Sequence, residues 1–159
     1  MSILYPGKKI GDGIDVRRSK LTSDKGDPGN GLFATMVFSK GDVITTYDGE
    51  VISSTVAKAL DANGRPVLQQ THMKSVDRHT VIDGIKQSVP GKGGGSFIND
   101  PTRRDLYNAK MVIVDCVETS GRNKGIPIGV YIVATRSIHE EDEIYMSYGK
   151  KGFLYAMPL

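Results

Sequence analysis

The sequence predicts a mainly β protein that forms one domain over residues 1–159, with many short strands and few short helices. Short segments rich in Val, Ile, Thr and aromatic residues recur along the chain, as in strands. The 19 glycines provide turns between these segments. The apolar content of 38% is that of an ordinary globular protein, and 159 residues are enough to bury one hydrophobic core.

Strand signals follow one another along the whole chain, and only one lies in the mostly polar lead-in over residues 1–28. Each is bounded by Gly, Pro, Asn, Asp or charged residues. The predicted strands cover residues 14–16, 32–35, 43–47, 50–52, 71–76, 79–82, 110–117, 130–135 and 143–147. Asp48-Gly49, between the third and fourth of these, is typical of a two-residue hairpin turn.

Three segments between the strands carry other signals. Ser53 or Ser54 is predicted to cap a short helix over residues 55–60, which Asn63-Gly64 ends. Residues 91–95 contain four glycines and are predicted to be irregular. Residues 118–124 form a polar hinge between two strong strands.

The charge pattern disfavours a nucleic-acid-binding or membrane protein. The net charge is only +3, and Arg103-Arg104 is too short for a nucleic-acid patch, so no direct nucleic-acid binding is predicted. No apolar run is long enough to span a membrane, and the N-terminus lacks a signal-peptide core. We therefore expect an intracellular protein, nuclear or cytoplasmic, that is not secreted.

The cysteine and histidine pattern predicts no metal site. Cys116 is the single cysteine, which excludes an intramolecular disulfide and an all-cysteine site. The three histidines lack the close spacing of a zinc helix. Cys116 follows an apolar run and is predicted to be a core thiol.

Taken one at a time, the polar motifs have ordinary structural explanations. Gly29-Asn30-Gly31 lacks the third glycine of a dinucleotide fingerprint, so it is either a plain turn or a loop that lets a ligand approach the backbone. Asn99-Asp100-Pro101 is typical of an Asx turn. His139 and the acidic run 140–143 are expected on the solvated surface, and Tyr148-Gly149 can be a simple strand end.

The order and spacing of these motifs is a stronger signal than any one of them. The ordered set resembles the SET-domain protein-lysine methyltransferase family over about residues 29–153. The matching segments are Gly29-Asn30-Gly31-Leu32-Phe33-Ala34, residues 38–44, Tyr47-Asp48-Gly49-Glu50, Val81-Ile82-Asp83-Gly84, Ser96-Phe97-Ile98-Asn99-Asp100 with Asn108, residues 133–138, residues 141–144 and Tyr148-Gly149. The printed sequence has no cysteine-rich segment beside the matching residues, so a minimal SET domain is expected.

The resemblance implies a fold, a cofactor and a reaction. The fold is a set of several small β-sheets with few short helices, in which the C-terminal segment threads under a loop in a knot-like manner. The cofactor is S-adenosylmethionine, and the partner is a protein or peptide, histone or non-histone, that bears a target lysine. The reaction is an in-line methyl transfer to a neutral amine, in which positioning and surrounding polar groups supply much of the acceleration.

The resemblance also implies roles for nine residues. Tyr148 is expected to be the principal catalytic tyrosine, and Tyr47 the second tyrosine of the lysine channel, since phenol rings attract a cation and their hydroxyls orient an amine. The predicted cofactor-binding residues are Gly29, Asn30, Gly31, Phe97, Asn99, Asp100 and Phe153. Of these, Asn99 holds the cofactor amino group, Phe97 packs behind the site, and Phe153 caps the adenine or the lysine channel.

Several positions depart from the family pattern. Asp100 stands in place of the usual His, Ser96 in place of Arg, and Tyr107 in place of Pro. Asp100 motivates the main alternative, a catalytically weak or inactive SET-like module that binds a protein or peptide. A third alternative is a β-barrel binding module in which the motif order is a coincidence.

Two further expectations concern the substrate. A local acidic groove formed by Asp48, Glu50 and residues 140–143 is predicted to attract a basic peptide. A minimal domain without flanking segments can complete its substrate groove by pairing with a second copy, so a homodimer is also expected.

Overall fold

The computed structural model describes residues 4–21, 29–69, 71–122 and 124–149. Within these ranges the chain forms ten short strands, one short α-helix and two 3-10 turns at Gly95–Phe97 and Arg104–Leu106. In chain order the regular elements are β1 (Lys9–Ile10), β2 (Gly13–Arg18), β3 (Asn30–Ala34), β4 (Val43–Thr46), β5 (Gly49–Ser53), α1 (Ser54–Ala57), β6 (Met73–Ser75), β7 (Thr80–Gly84), β8 (Ala109–Val114), β9 (Gly129–Ala134) and β10 (Glu143–Ile144).

The strands assemble into three separate small sheets, which confirms the mainly β prediction. The first has the order β1-β2-β3-β10, the second β4-β9-β8 and the third β5-β7-β6. In the first sheet β10 pairs antiparallel with β3, so residues near the end of the described chain lie beside the Gly29-Asn30-Gly31 motif. No continuous barrel is formed by the described strands, which argues against the barrel alternative.

The predicted Asp48-Gly49 hairpin is wrong, because the two strands around it belong to different sheets. β4 pairs with β9, and β5 pairs with β7. The Asp48 carboxylate explains the turn: it accepts hydrogen bonds from Thr46 Oγ1 at 2.7 Å and from the Gly93 N–H at 2.8 Å. The glycine-rich segment, rather than a neighbouring strand, therefore completes the turn that sends the chain into the third sheet.

The main hydrophobic core joins the first sheet, the second sheet and the segment that follows the glycine-rich stretch. Leu32, Ile132 and Ile144 are fully buried within it. Burying one such side chain stabilises the fold by about 1.5–3 kcal/mol. The third sheet has its own smaller cluster of Ala57, Met73 and Val81, which covers one face of that sheet.

The segment after β10 crosses the loop formed by residues 99–108 and is bonded to both ends of it. At one end, the Met146 N–H donates to the Asn99 carbonyl at 3.2 Å. At the other, the Asn108 N–H donates to the Tyr145 carbonyl at 3.1 Å, and the Tyr145 N–H donates to Asn108 Oδ1 at 2.8 Å. This crossing is the threaded C-terminal arrangement that the family resemblance implies, and it ends β10 at Ile144 rather than at the predicted residue 147.

Most local predictions hold, and the exceptions have clear causes. Ser53 caps the helix, its hydroxyl accepting from the Val56 N–H at 3.1 Å, although the helix ends at Ala57. The predicted core position of Cys116 is wrong: β8 ends at Val114, and the thiol lies in the exposed turn that follows. His139 is exposed, as expected. Within the described ranges, no helix has the length and apolarity needed to cross a membrane.

Candidate functional site

Tyr47 and Tyr148 lie at the junction of the three sheets. Tyr47 directly follows β4 and is 3% exposed, and its hydroxyl donates to the His72 carbonyl. Tyr148 follows β10, and its hydroxyl donates to the Ile98 carbonyl at 2.8 Å. The Tyr148 carbonyl accepts from Lys74 Nζ at 2.9 Å, so both tyrosines are hydrogen-bonded to the short segment of residues 72–74. The structure therefore brings together the two tyrosines that the sequence singled out.

Burial keeps both tyrosine hydroxyls protonated. Desolvation is the largest cause that raises the pKa of Tyr47, with Tyr148 and Asp83 adding to it. Desolvation also raises the pKa of Tyr148 most; the Asp100 charge adds to this, and a hydrogen bond from the Asp100 backbone opposes it. Both phenols are therefore neutral near pH 7, where they orient a ligand through hydrogen bonds and do not act as bases.

The raised pKa of Tyr47 predicts a loss of stability in alkali. Because the unfolded phenol ionises near pH 10 and the folded one only at higher pH, its stabilising contribution is complete below about pH 10 and is lost as the pH rises further. We expect Tyr47→Phe to flatten the fall of the unfolding free energy above pH 10 by up to about 1.4 kcal/mol per pH unit. Urea unfolding from pH 9 to 11.5 measures this, and parallel wild-type and variant curves would contradict it.

Asn99 connects the two motifs that are expected to hold a cofactor. Its side-chain amide donates to the Asn30 carbonyl at 2.9 Å, and its own carbonyl accepts from the Met146 N–H. Gly29, just before β3, has a φ of +76°, a left-handed conformation that favours glycine. Asn99 therefore joins the Asn30 backbone, next to Gly29, to the segment that carries Tyr148.

Gly31 is required by a buried carboxylate. A Cβ atom at this position would lie 2.3 Å from Glu143 Oε2. Glu143 is 4% exposed and accepts hydrogen bonds from Ser19 Oγ and from the Lys20 N–H, both at 2.7 Å. It also accepts from the Tyr145 hydroxyl at 3.0 Å. The expectation that residue 143 belongs to a solvated acidic turn is therefore wrong, because these donors and the packing of β10 on β3 hold it inside.

Two of the departures from the family pattern contact each other. Asp100 Oδ1 accepts a hydrogen bond from the Tyr107 hydroxyl at 2.6 Å and from the Thr102 N–H at 2.8 Å. Its other oxygen, Oδ2, accepts from the Tyr148 N–H at 2.9 Å. The hydrogen bond to Asp100 is the largest cause that raises the pKa of Tyr107. Asp100 therefore binds backbone and side-chain donors of the site and is not an isolated charge.

The remaining predicted site residues are Phe97 and Phe153, and Ser96 lies next to Phe97. Phe97 is 5% exposed and lies in the main core cluster, with its ring centroid 6.1 Å from that of His72 in an edge-on arrangement. The role of Phe97 behind the site stays a prediction. Ser96, the third departure, is buried, and its hydroxyl donates to the Ile85 carbonyl at 2.7 Å. Phe153 lies outside the described residues.

Sequence reasoning missed Lys74 and His72, which both contact the tyrosines. The Lys74 ammonium donates to the Tyr148 carbonyl at 2.9 Å, and burial lowers the pKa of Lys74 against the opposing effect of Asp100. Burial is also the main cause that lowers the pKa of His72, whose carbonyl accepts from Tyr47. His72 directly precedes β6 and Lys74 lies on it, and no spacing in the sequence distinguishes them from surface residues.

The predicted acidic groove is divided between two cavities. Asp48 and Glu50 line a cavity of about 560 Å³, together with Asp83. Asp142 and Glu143 line a different cavity of about 270 Å³. Because the carboxylate of Glu143 is buried and bonded internally, it adds no charge to a surface shared with Asp48. Glu143 is therefore not part of the acidic surface expected from the sequence.

Comparisons with solved structures show the fold. The chain is similar to ctPRC2 in an autoinhibited conformation bound to S-adenosylmethionine, with 19% identity, a TM-score of 0.63, and coverage of 90% of this chain and 16% of that one. Chaetomium thermophilum Polycomb Repressive Complex 2 bound to GSK126 gives 19% identity, a TM-score of 0.61, and coverage of 89% and 16%. An active polycomb repressive complex 2 in the stimulated state gives 19%, 0.59, and coverage of 87% and 15%.

The chain thus spans about one-sixth of the length of these structural neighbours. A comparison with curated protein sequences found no significant match. The family model described as "SET domain" matches residues 29–149, which is most of the chain and includes both tyrosines, Asn99 and Asp100. The protein belongs to the SET domain family.

Proposed function

We propose that this SET domain is an S-adenosylmethionine-dependent protein-lysine methyltransferase. The observation that carries the proposal is a pair of neutral phenols beside the Asn99 segment: the partly buried Tyr148 donates to the Ile98 carbonyl, and the buried Tyr47 donates to the carbonyl of His72, whose ring packs on Phe97. The two phenols offer oriented dipoles, which suit the transfer of a cationic methyl group. Membership of the SET domain family and the fold of the structural neighbours support the same reaction.

The residues of the chain fit the proposed cofactor. S-adenosylmethionine supplies an electrophilic methyl group on a sulfonium, and it carries an amino group. The Asn30 and Ile98 carbonyls present the negative partial charge that suits these groups, since carbonyl oxygens attract cations. We propose that the cofactor is held by Gly29, Asn30, Gly31, Phe97, Asn99, the backbone of Asp100, and Phe153.

The chain's own groups then perform the positioning. Tyr148, with its hydroxyl on the Ile98 carbonyl, orients the target amine, and the buried ring of Tyr47 walls the lysine channel. Because neither phenol ionises near neutral pH, neither removes the amine proton. The target lysine must therefore reach the site as the neutral amine, and the partner is a protein or peptide, histone or non-histone.

The test of this proposal uses the full chain with methyl-labelled S-adenosylmethionine and panels of histone and non-histone peptides. We expect label on lysine, and we expect S-adenosylhomocysteine to bind in a calorimetric titration. Absence of both transfer and cofactor binding would refute the proposal. Mass spectrometry of the acceptor locates the modified residue and counts the methyl groups.

A second candidate function is a SET-like module that binds a protein or peptide and transfers nothing. It is favoured by one specific observation, the Asp at position 100 where the family motif has His. Retention of a peptide without label transfer would support this candidate. Asp100→His, which restores the motif residue, would then be expected to create transfer.

Further proposals concern the domain extent, location, partners and oligomeric state of the protein. We propose one SET domain over residues 1–159, action in the nucleus or cytoplasm, and no direct contact with nucleic acid or membrane. A homodimer is also proposed, in which a second copy completes the substrate groove. Solution scattering at the concentration used for the assay tests the last of these, and a monomeric mass would contradict it.

A further inference from the structure

Tyr148 is bonded at its hydroxyl and at both of its backbone polar groups. The hydroxyl donates to the Ile98 carbonyl at 2.8 Å, and the N–H donates to Asp100 Oδ2 at 2.9 Å. The carbonyl accepts from Lys74 Nζ at 2.9 Å. Two of these three partners are charged side chains, and charge-assisted hydrogen bonds are about twice as strong as neutral ones.

The two charged partners come from different parts of the fold. Lys74 lies on β6, the last strand of the third sheet, whereas Asp100 lies in the loop under which the C-terminal segment passes. Lys74 is partly buried, and the Asp100 charge counteracts the effect of that burial on the pKa of Lys74. A partly buried ammonium needs such a partner, because desolvation disfavours its charge.

The Asp100 carboxylate is held in place by further hydrogen bonds. Its Oδ1 is bound by the Tyr107 hydroxyl and the Thr102 N–H, which fixes the carboxylate and leaves Oδ2 directed at the Tyr148 N–H. Tyr107 and Asp100 are both departures from the family motif, and they bind each other. Asp100 therefore forms part of a rebuilt support for Tyr148.

We propose that Lys74 and Asp100 are positioning residues that clamp the backbone of Tyr148 from two sides and thereby aim its phenol at the reacting centre. This inference rests on the proposed methyltransferase function. A displacement of about 1 Å at a reacting group costs on the order of 100-fold in rate, so a clamp on the backbone of one tyrosine acts on turnover. If these hydrogen bonds only attached the chain, their loss would lower the stability and leave the turnover of the folded protein unchanged.

The experiment compares each disruptive variant with a conservative one. Lys74→Met removes the ammonium and keeps the chain length, whereas Lys74→Arg keeps a donor. Asp100→Ala removes the acceptor, whereas Asp100→Asn keeps one oxygen. Lys110→Met, an exposed lysine on β8, is the matched control. For each protein, kcat and KM for methyl transfer, the Kd for S-adenosylhomocysteine and the melting temperature are measured.

We expect kcat to fall by about tenfold or more in Lys74→Met and Asp100→Ala, with partial recovery in Lys74→Arg and Asp100→Asn. KM, cofactor Kd and the properties of Lys110→Met should stay within about twofold of wild type. Unchanged kcat in both disruptive variants would overturn the clamp. A fall of kcat that tracks the melting temperature and is not recovered by the conservative variants would also overturn it.

Nuclear magnetic resonance tests the clamp without any activity. With labelled tyrosine, and Tyr148→Phe to assign the signal, the Tyr148 amide should exchange slowly in wild type and at least about tenfold faster in Asp100→Ala. The Tyr148 carbonyl carbon signal should move in Lys74→Met and stay in place in Lys74→Arg. If wild type transfers no methyl group, the proposed function fails while these signals still decide the clamp. Equal exchange and unmoved signals would refute it.

Discussion

Tyr148→Phe is expected to lower methyl transfer by about 100-fold or more while the fold is retained. The change removes only the hydroxyl, whose bond to the Ile98 carbonyl directs it to the segment that carries Asn99. Removing one preorganised polar group from a reacting centre costs about 10² to 10³ in kcat. The lost hydrogen bond itself costs only about 1 kcal/mol of stability, so inactivity and unfolding can be separated.

The measurement is kcat with a saturating peptide, together with circular dichroism and calorimetric binding of S-adenosylhomocysteine. Tyr131→Phe is the matched control. Its hydroxyl also donates to a backbone carbonyl, that of Pro127 at 2.7 Å, but Tyr131 belongs to a different hydrophobic cluster. We expect this control to keep its activity. Equal turnover by Tyr148→Phe and wild type would remove Tyr148 from the catalytic role.

Gly31→Ala is expected to destabilise the protein by about 3 kcal/mol or more. The added methyl would lie 2.3 Å from Glu143 Oε2, so the carboxylate must leave the donors that hold it, among them Ser19 Oγ and the Lys20 N–H. Overpacking costs about 1–3 kcal/mol, and leaving a buried charge without its partners costs about 3–5 kcal/mol. Urea unfolding at pH 7 measures the loss.

Two controls show whether the carboxylate is the cause. Gly129→Ala, in β9, adds a methyl whose nearest neighbour is Tyr131 at 3.7 Å, an ordinary contact, and should cost less than about 1 kcal/mol. In a Glu143→Ala background, the added cost of Gly31→Ala should shrink markedly, because the colliding oxygens are gone. A stable Gly31→Ala protein that has lost only cofactor affinity would instead support the ligand-approach explanation of this glycine.

The strands were predictable one by one, but their pairing was not. Runs such as residues 130–135 carry the β-branched pattern that makes a strand, and the structure places β9 there. The turn at Asp48-Gly49 shows the limit of local signals. A hairpin and a change of sheet use the same turn residues, and the choice depends on Gly93, a distant donor to the Asp48 carboxylate.

Some residues of the candidate site could be predicted from the sequence, and others could be found only in the structure. Tyr47, Asn99 and Tyr148 were found because their order along the chain resembles a known family, and the structure brings them together. Lys74 and Glu143 were not found, because a lysine on a short polar strand and a glutamate in an acidic run are ordinary surface patterns. Only burial and the supply of donors by distant residues distinguish them.

The sequence by itself determined the mainly β class and the family, and it singled out the two tyrosines as candidates, because strand propensity and motif order can be read from local segments of the chain. The tertiary structure alone decided what surrounds them: the buried carboxylate beside Gly31, the Asp100–Tyr107 contact and the ammonium of Lys74 on Tyr148. These contacts join residues far apart in sequence, and they form only when the C-terminal segment has passed under the loop of residues 99–108. The role of an unusual residue such as Asp100 therefore depends on which hydrogen-bond donors the fold places beside it.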